Sequence, residues 1–179
     1  MEDPVVTKMK SIVTAIALAG AVSLAGLVAW GAEEGSSPAA LAKALPEAKL
    51  SLERGLKASE REGRPISGKY EIEDGALQLS VYTVKGSNEF EEVLVDHKSG
   101  AVKKAEKITD ADDLKEAKEQ SQAMAKAKVS LEKAVDGAAK ANSGYRAVSV
   151  TPTLKAGKPV AEVTLMKGAE VKKVTENLD

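Results

Sequence analysis

His97 is the only histidine in 179 residues, and it stands beside Asp96. A histidine next to a carboxylate is the smallest general-base unit, and a lone histidine excludes a multi-histidine metal centre. The pair lies between Val95 and Gly100, where an aspartate side chain satisfies its own backbone in a turn. An exposed turn histidine is therefore expected, with no catalytic or metal-ligating role. Glu89, Glu91, Glu92 and Asp96 offer the oxygen ligands that calcium takes. Neither EF-hand spacing nor a glycine-punctuated Asp loop surrounds them, so a solvated strand face is expected. The chain has no cysteine, which excludes disulfides, thiolate catalysis and cysteine-based zinc or iron–sulfur sites. No Gly-x-Ser-x-Gly elbow or phosphate loop occurs, and no paired carboxylates stand out. These residue types point away from an enzyme and imply no cofactor and no metal.

Binding is the chemistry that remains. Tyr82, Val84 and Leu94 fall at the opposite parity to Leu79, Val81 and Val93, so strands would carry the two sets on opposite faces. An apolar cluster on the second face is either a contact between packed units or a partner-binding patch. Tyr82, Val84 and Leu94 are the candidate partner contacts, with Thr164 and Met166 as less aromatic counterparts further on. Beyond Trp30 the aromatic residues are Tyr70, Tyr82, Phe90 and Tyr145. Three of these precede residue 108, which directs the search for a partner to that part of the chain. Lys103-Lys104 and Lys172-Lys173 are basic pairs that could meet anionic lipid or an acidic partner. Two short pairs fall short of the usual basic cluster, and solvated surface is expected. With 26 bases and 27 acids the net charge is −1, which argues against nucleic acid as a partner.

The elements that must position these residues begin after an export segment. Lys8 and Lys10 precede a charge-free run from Ser11 to Ala29, followed by Trp30-Gly31. A basic start, an apolar stretch and a small-x-small end (Ala29, Gly31) form a secretory signal with cleavage after Gly31. The alternative is a retained anchor, because Ile12 to Ala29 is long enough to span a bilayer. Either way the lysines precede the apolar run, which places the remainder outside the cytoplasm. The expected location is periplasmic or extracellular, with attachment to the inner membrane if Ile12–Ala29 is retained.

A self-similarity follows. Ala48-Lys-Leu-Ser-Leu-Glu-Arg54 returns as Ala127-Lys-Val-Ser-Leu-Glu-Lys133. Each copy continues through helix-compatible sequence, a glycine (Gly63, Gly144) and an alternating stretch. Then come a turn (Asp74-Gly75, or Ala156-Gly157-Lys158), a second alternating stretch to Lys85-Gly86 or Lys167-Gly168, and a third. Period-two alternation gives each sheet one buried face, and Asp74-Gly75 is a tight-hairpin signal. Ser37-Pro38 starts a short helix that Pro46 breaks. Leu52 and Leu56 form a narrow stripe on a helix stopped at Gly63. Thr109 and Asp112 resemble a capping box, and a break near Ser130 separates two later helices. Pro152 and Pro159 belong at strand ends or an edge. The expected fold is α+β: two repeated modules, each a helix on a three-stranded antiparallel meander, behind the apolar signal or anchor helix. The divisions are 1–31 signal or anchor, 32–47 acidic lead-in, 48–108 first module, 109–126 helical linker and 127–179 second module. The second module carries nine bases and six acids, and the linker five acids and three bases.

The helix after Leu-Ser-Leu-Glu, the glycine, the Asp-Gly hairpin and the run Val93-Leu-Val-Asp96-His-Lys-Ser-Gly100-Ala-Val102 resemble the PepSY domain. That module closes in Val-x-Val-Asp-x-x-x-Gly-x-Val. The second copy is similar in Gly157-Lys-Pro-Val-Ala-Glu-Val163 and departs at Thr175-Glu-Asn-Leu-Asp179, with no Asp-to-Gly turn. The resemblance covers both modules, on a short and degenerate motif. It implies an exported or membrane-attached bacterial protein, in a family proposed to inhibit or restrain peptidases. Two functions follow as expectations. One is a non-enzymatic module binding a protein partner of the cell envelope, such as a peptidase. The other is an accessory subunit of a membrane complex, held by its N-terminal helix.

Overall fold

The computed structural model describes residues 37–179. The apolar stretch Ile12–Ala29, the cleavage site and the start of the lead-in lie outside the described residues. Among the described residues no helix is long and apolar enough to cross a membrane.

The described residues are α+β, with four α-helices and one antiparallel sheet of seven strands. Helix α1 (Pro38–Ala44) opens on Ser37, whose hydroxyl accepts from Ala40 N. Pro46 lies inside a 3-10 turn, Leu45–Glu47, that prolongs this helix. Helix α2 (Leu52–Ser59) precedes β1 (Arg64–Glu73), β2 (Ala76–Lys85), β3 (Glu89–Val95) and β4 (Val102–Lys107). Helices α3 (Ala111–Lys126) and α4 (Leu131–Ala141) precede β5 (Arg146–Lys155), β6 (Lys158–Lys167) and β7 (Glu170–Asn177). The sheet order is β4-β3-β2-β1-β5-β6-β7.

The strands form where alternation predicts them. The turn residues Asp74-Gly75 and Ala156-Gly157 all take positive φ, the geometry of a two-residue hairpin whose twist matches its strands. Two separate three-stranded sheets are not what forms. The β1 and β5 strands pair at Gly68↔Val150 and Lys69↔Ser149, fusing both meanders into one sheet. Each is the open edge of its own meander, and joining them satisfies backbone groups that would otherwise stay unpaired. The first meander also gains β4, whose mostly charged sequence Val-Lys-Lys-Ala-Glu-Lys carries little strand pattern. Pro152 sits inside β5, paired with Ala161 on β6 and beyond the two pairs that join β5 to β1. It therefore occupies a stretch with one strand neighbour, as its missing N–H requires.

One face of the sheet packs on α2 and α4. A Cβ built at Gly68 would meet Leu56 and Leu52, and one at Gly55 would fall 2.5 Å from Leu79 Cδ2. Gly55 thus lets α2 lie close on β2. Leu52, Leu56, Leu131 and Val135 bury against Leu79, Val81, Val93, Val150, Val163 and Leu165. Each such side chain contributes about 1.5–3 kcal/mol when fully buried. Helix α2 ends at Ser59, earlier than Gly63, and the Ser51 hydroxyl donates to Glu53 and caps no backbone N–H. A break does separate α3 from α4, where Ser130 caps α4 by accepting from Lys133 N. The cap of α3 is Asp110, which accepts from Asp112 N and Asp113 N. Its carboxylate reaches both amides, and Thr109 is left outside the helix.

The face opposite α2 is not left bare. The Ser67 hydroxyl donates to Gln120 Oε1 on α3 at 2.7 Å, and Ser67 points away from the face to which Gly68 belongs. The segment read as a linker is therefore a helical cover on the second face, with Ala117 and Met124 turned inward.

Candidate functional site

The second face of the first meander is assembled by register. Ser80 pairs with Leu94 and Tyr82 with Glu92 across β2 and β3, and Leu94 and Glu92 pair with Lys104 and Glu106 on β4. Ser80 and Tyr82 in turn oppose Lys69 and Ser67 on β1. Paired residues share a face, so Lys69, Ser80, Tyr82, Glu92 and Leu94 form one surface. The N-terminal half of α3 runs beside it.

The three residues singled out in the sequence meet different fates there. Val84 is 3% exposed and belongs to the core, opposite Phe90 at 1%. A shallow groove of about 410 Å³, with Lys118 and Ser121 of α3 in its wall, opens beside Phe90. Tyr82 is half-buried and packs against the core with its ring. Leu94 is half-buried near the centre of the open part of the face, between Ser80 and Lys104. Of the three, Leu94 and part of Tyr82 are accessible. Thr164 and Met166, the later counterparts, are both buried.

Charge around this surface is unbalanced. The Lys69 ammonium lies 2.6 Å from Glu71 and 5.9 Å from the centroid of the Tyr82 ring. Glu92 takes a hydrogen bond from the Ser80 hydroxyl, yet burial, reinforced by Glu71 and Glu73, raises its carboxyl above the usual range. Burial likewise raises Asp113, with help from Asp110, and Glu116, with help from Asp113. Lys69 opposes the rise at all three. Burial, followed by Glu92 and Glu71, drives the Tyr82 hydroxyl far above its ordinary value, so it stays protonated. Sequence parity places Lys69, Glu71 and Glu92 on this face. The contribution of Asp113 and Glu116 depends on where α3 docks, which no local pattern discloses.

The remaining candidates resolve as supports for the fold. The Asp96 carboxylate accepts from Lys98 N, Ser99 N and the Ser99 hydroxyl, and its other oxygen lies 2.8 Å from Lys103 Nζ. The Lys103 ammonium first, then these donors, hold it well below the usual carboxylate range. His97 is half-buried rather than exposed. Its carbonyl accepts from Lys49 N and Leu50 N, and its Nδ1 is enclosed without a hydrogen-bond partner. Burial lowers its pKa. Glu91 lies 2.8 Å from Lys85 and Glu89 3.9 Å from Lys107, and Glu91 and Glu92, both half-buried, depart from a solvated strand face. Lys104 pairs with Glu106 at 2.7 Å, and Lys172 bonds Asn142 at 2.5 Å. No group of three metal-ligating side chains converges among the described residues.

Arg146 carried no signal in the sequence. Its Nη1 donates to the carbonyls of Leu45 at 3.1 Å and Ala48 at 2.9 Å, and its Nη2 donates to Leu50 O. It ties the lead-in before α2 to β5. Comparison with family models, with curated proteins and with solved structures finds no match.

Proposed function

We propose that this is an exported, non-enzymatic protein-binding module of the bacterial cell envelope, built from two PepSY-like halves and acting by restraint of a peptidase. The observation that carries binding is the second face of the first meander, where Leu94 and Tyr82 sit on a sheet surface between α3 and β4. The two-half reading is supported by local devices that recur at matching places. Gly86 and Gly168 both have φ 58°. Register shifts fall between Pro65 and Ser67 and between Ala147 and Ser149. Lys49 and Leu50 donate to His97 O, as Lys128 and Val129 donate to Leu178 O. The run 93–102 supplies the end of β3, the Asp96 turn and the first residue of β4.

Affinity capture of the tagged protein from envelope extract, followed by mass spectrometry, tests the reading. A stoichiometric protein partner is expected, and Leu94→Ser should release it. Recovery of no partner would overturn it. An N-terminus intact through Ile12–Ala29, on protein that leaves the membrane only with a multi-subunit complex, would move the assignment to an anchored accessory subunit.

A further inference from the structure

We propose that the surface of β1, β2 and β3 around Leu94 docks a cationic extended segment of a partner protein, seating one apolar side chain on Leu94 and Tyr82 and lysine or arginine on Glu92 and the acidic rim of α3. The inference rests on the binding reading above and adds the chemistry of the partner.

The argument from charge begins with a count on one face. Lys104 and Glu106 satisfy each other along β4. That leaves Glu71 and Glu73 on β1, Glu92 on β3, and Asp113 and Glu116 on α3. Among the described residues, Lys69 is the cation that acts on Glu92, Asp113 and Glu116, and it is already 2.6 Å from Glu71. Gln78 Nε2 donates to Glu73 at 2.7 Å, a neutral donor that leaves the charge in place. The face therefore holds a local negative excess in a partly desolvated setting, although the whole chain is nearly neutral at −1. Charges so placed repel one another in the free protein and are relieved by an incoming cation more strongly than solvated carboxylates would be.

Shape supplies the second part. A sheet surface with a half-buried leucine between Ser80 and Lys104 suits an extended chain, whose alternate side chains point down at it. The next downward residues, two positions to either side of that apolar residue, would then stand above Glu92 on one side and toward Gln78 on the other. A nucleic acid or an acidic peptide would meet the same carboxylates as repulsion.

The test uses the full chain, uniformly labelled with nitrogen-15, and the synthetic peptide Thr-Lys-Thr-Leu-Thr-Lys-Thr, whose two lysines share the face of its leucine when extended. The mirrored peptide Thr-Glu-Thr-Leu-Thr-Glu-Thr serves as its control. Amide shifts on adding the cationic peptide are expected at Lys69, Ser80, Tyr82, Glu92, Leu94 and Asp113, with none from the acidic peptide. Glu92→Gln and Leu94→Ser, each confirmed folded by its own amide spectrum, are each expected to weaken binding by about fivefold to tenfold. Asp136→Asn, which removes the same charge from α4, should leave binding unchanged, and Asp113→Asn provides a second variant if Glu92→Gln fails to fold. Shifts centred elsewhere, equal response to both peptides, or equal weakening by Asp136→Asn would overturn the proposal. A captured partner that binds Glu92→Gln as well as the wild type would refute the cationic contact while leaving partner binding intact. Capture of no partner would refute the underlying reading instead.

Discussion

Replacing Arg146 by methionine keeps an apolar stem of similar length and deletes the guanidinium. Three carbonyls, on Leu45, Ala48 and Leu50, lose a charged donor, and the contact with the Tyr70 ring, 5.3 Å from the guanidinium carbon, goes with it. A hydrogen bond to a charged group contributes about 1.5–3 kcal/mol. The site is half-buried, so water can reach part of the vacated space, and the total should fall below the simple sum, at about 3 kcal/mol. For a chain of this size that corresponds to a fall in Tm of roughly 6–12 °C. Urea unfolding followed by circular dichroism at neutral pH measures it, with an unchanged m-value marking an effect on the native state. Leu50 O also accepts from the Tyr70 hydroxyl at 2.5 Å, so the two donors share one acceptor. A double-mutant cycle with Tyr70→Phe should show coupling of at least about 0.5 kcal/mol. Arg146→Lys, which can reach fewer of the carbonyls, should lie between wild type and Arg146→Met. A loss below about 1 kcal/mol for Arg146→Met, or strictly additive effects with Tyr70→Phe, would refute the claim that this arginine clamps the lead-in to β5.

Gly55→Val should destabilise by about 1–3 kcal/mol through overpacking on Leu79. Gly55→Ala should cost less, because helix propensity offsets part of the clash; urea midpoints distinguish the two. Val84→Ser buries a hydroxyl in the core and is expected to cost about 2–3 kcal/mol. Leu94→Ser, on the open face, should stay below about 1 kcal/mol by the same measurement. A double change of Tyr82 and Val84 therefore reports on packing before it reports on binding. Burial lowers the pKa of His97 in the folded protein below its ordinary 6.5, so the unfolded chain binds the extra proton first. Its contribution to stability is full above about pH 6.5 and is lost as the pH falls through the lower folded value. His97→Gln should flatten that part of the stability–pH curve. Asp96, held low by Lys103 and the turn amides, contributes stability above the usual carboxylate range that disappears in acid, and Asp96→Asn should remove this acid-labile component.

The features legible in the sequence are those encoded within a few residues. Asp74-Gly75 marks its hairpin because only a few residue types accept positive φ, and the period of two around Tyr70 and Leu79 names both faces of the strands. Ser130 announces the start of α4 through its own cap. What stayed hidden depends on residues far apart. The pairing of Gly68 with Val150 leaves no mark on either strand, so two sheets are expected where one forms. The same gap leaves Val84 undecided: its parity is read correctly, and the face it joins is read as either a contact between packed units or a partner patch, because α3, which covers it, looks like a connector until Gln120 meets Ser67. Arg146 resembles any other basic residue at a strand start until the three carbonyls that receive it are in place. Lys69, Glu71 and Glu92 could be set on one face by alternation, while their shortage of counter-charge required knowing where Asp113 and Glu116 come to rest.

The seam between β1 and β5 also bears on how the chain reaches this structure. Hairpins β1–β2 and β5–β6 close through two-residue turns, so each can form from neighbouring sequence on a microsecond scale. The seam joins Gly68 to Val150, and closing so long a loop requires an entropy loss that local hairpins avoid. Each meander can thus assemble before the seam zips, with Arg146 completing the join only once the lead-in has reached β5. Until then the edges of β1 and β5 stand open with unpaired backbone groups, and two molecules meeting at that stage could exchange halves, each β1 finding the β5 of its neighbour.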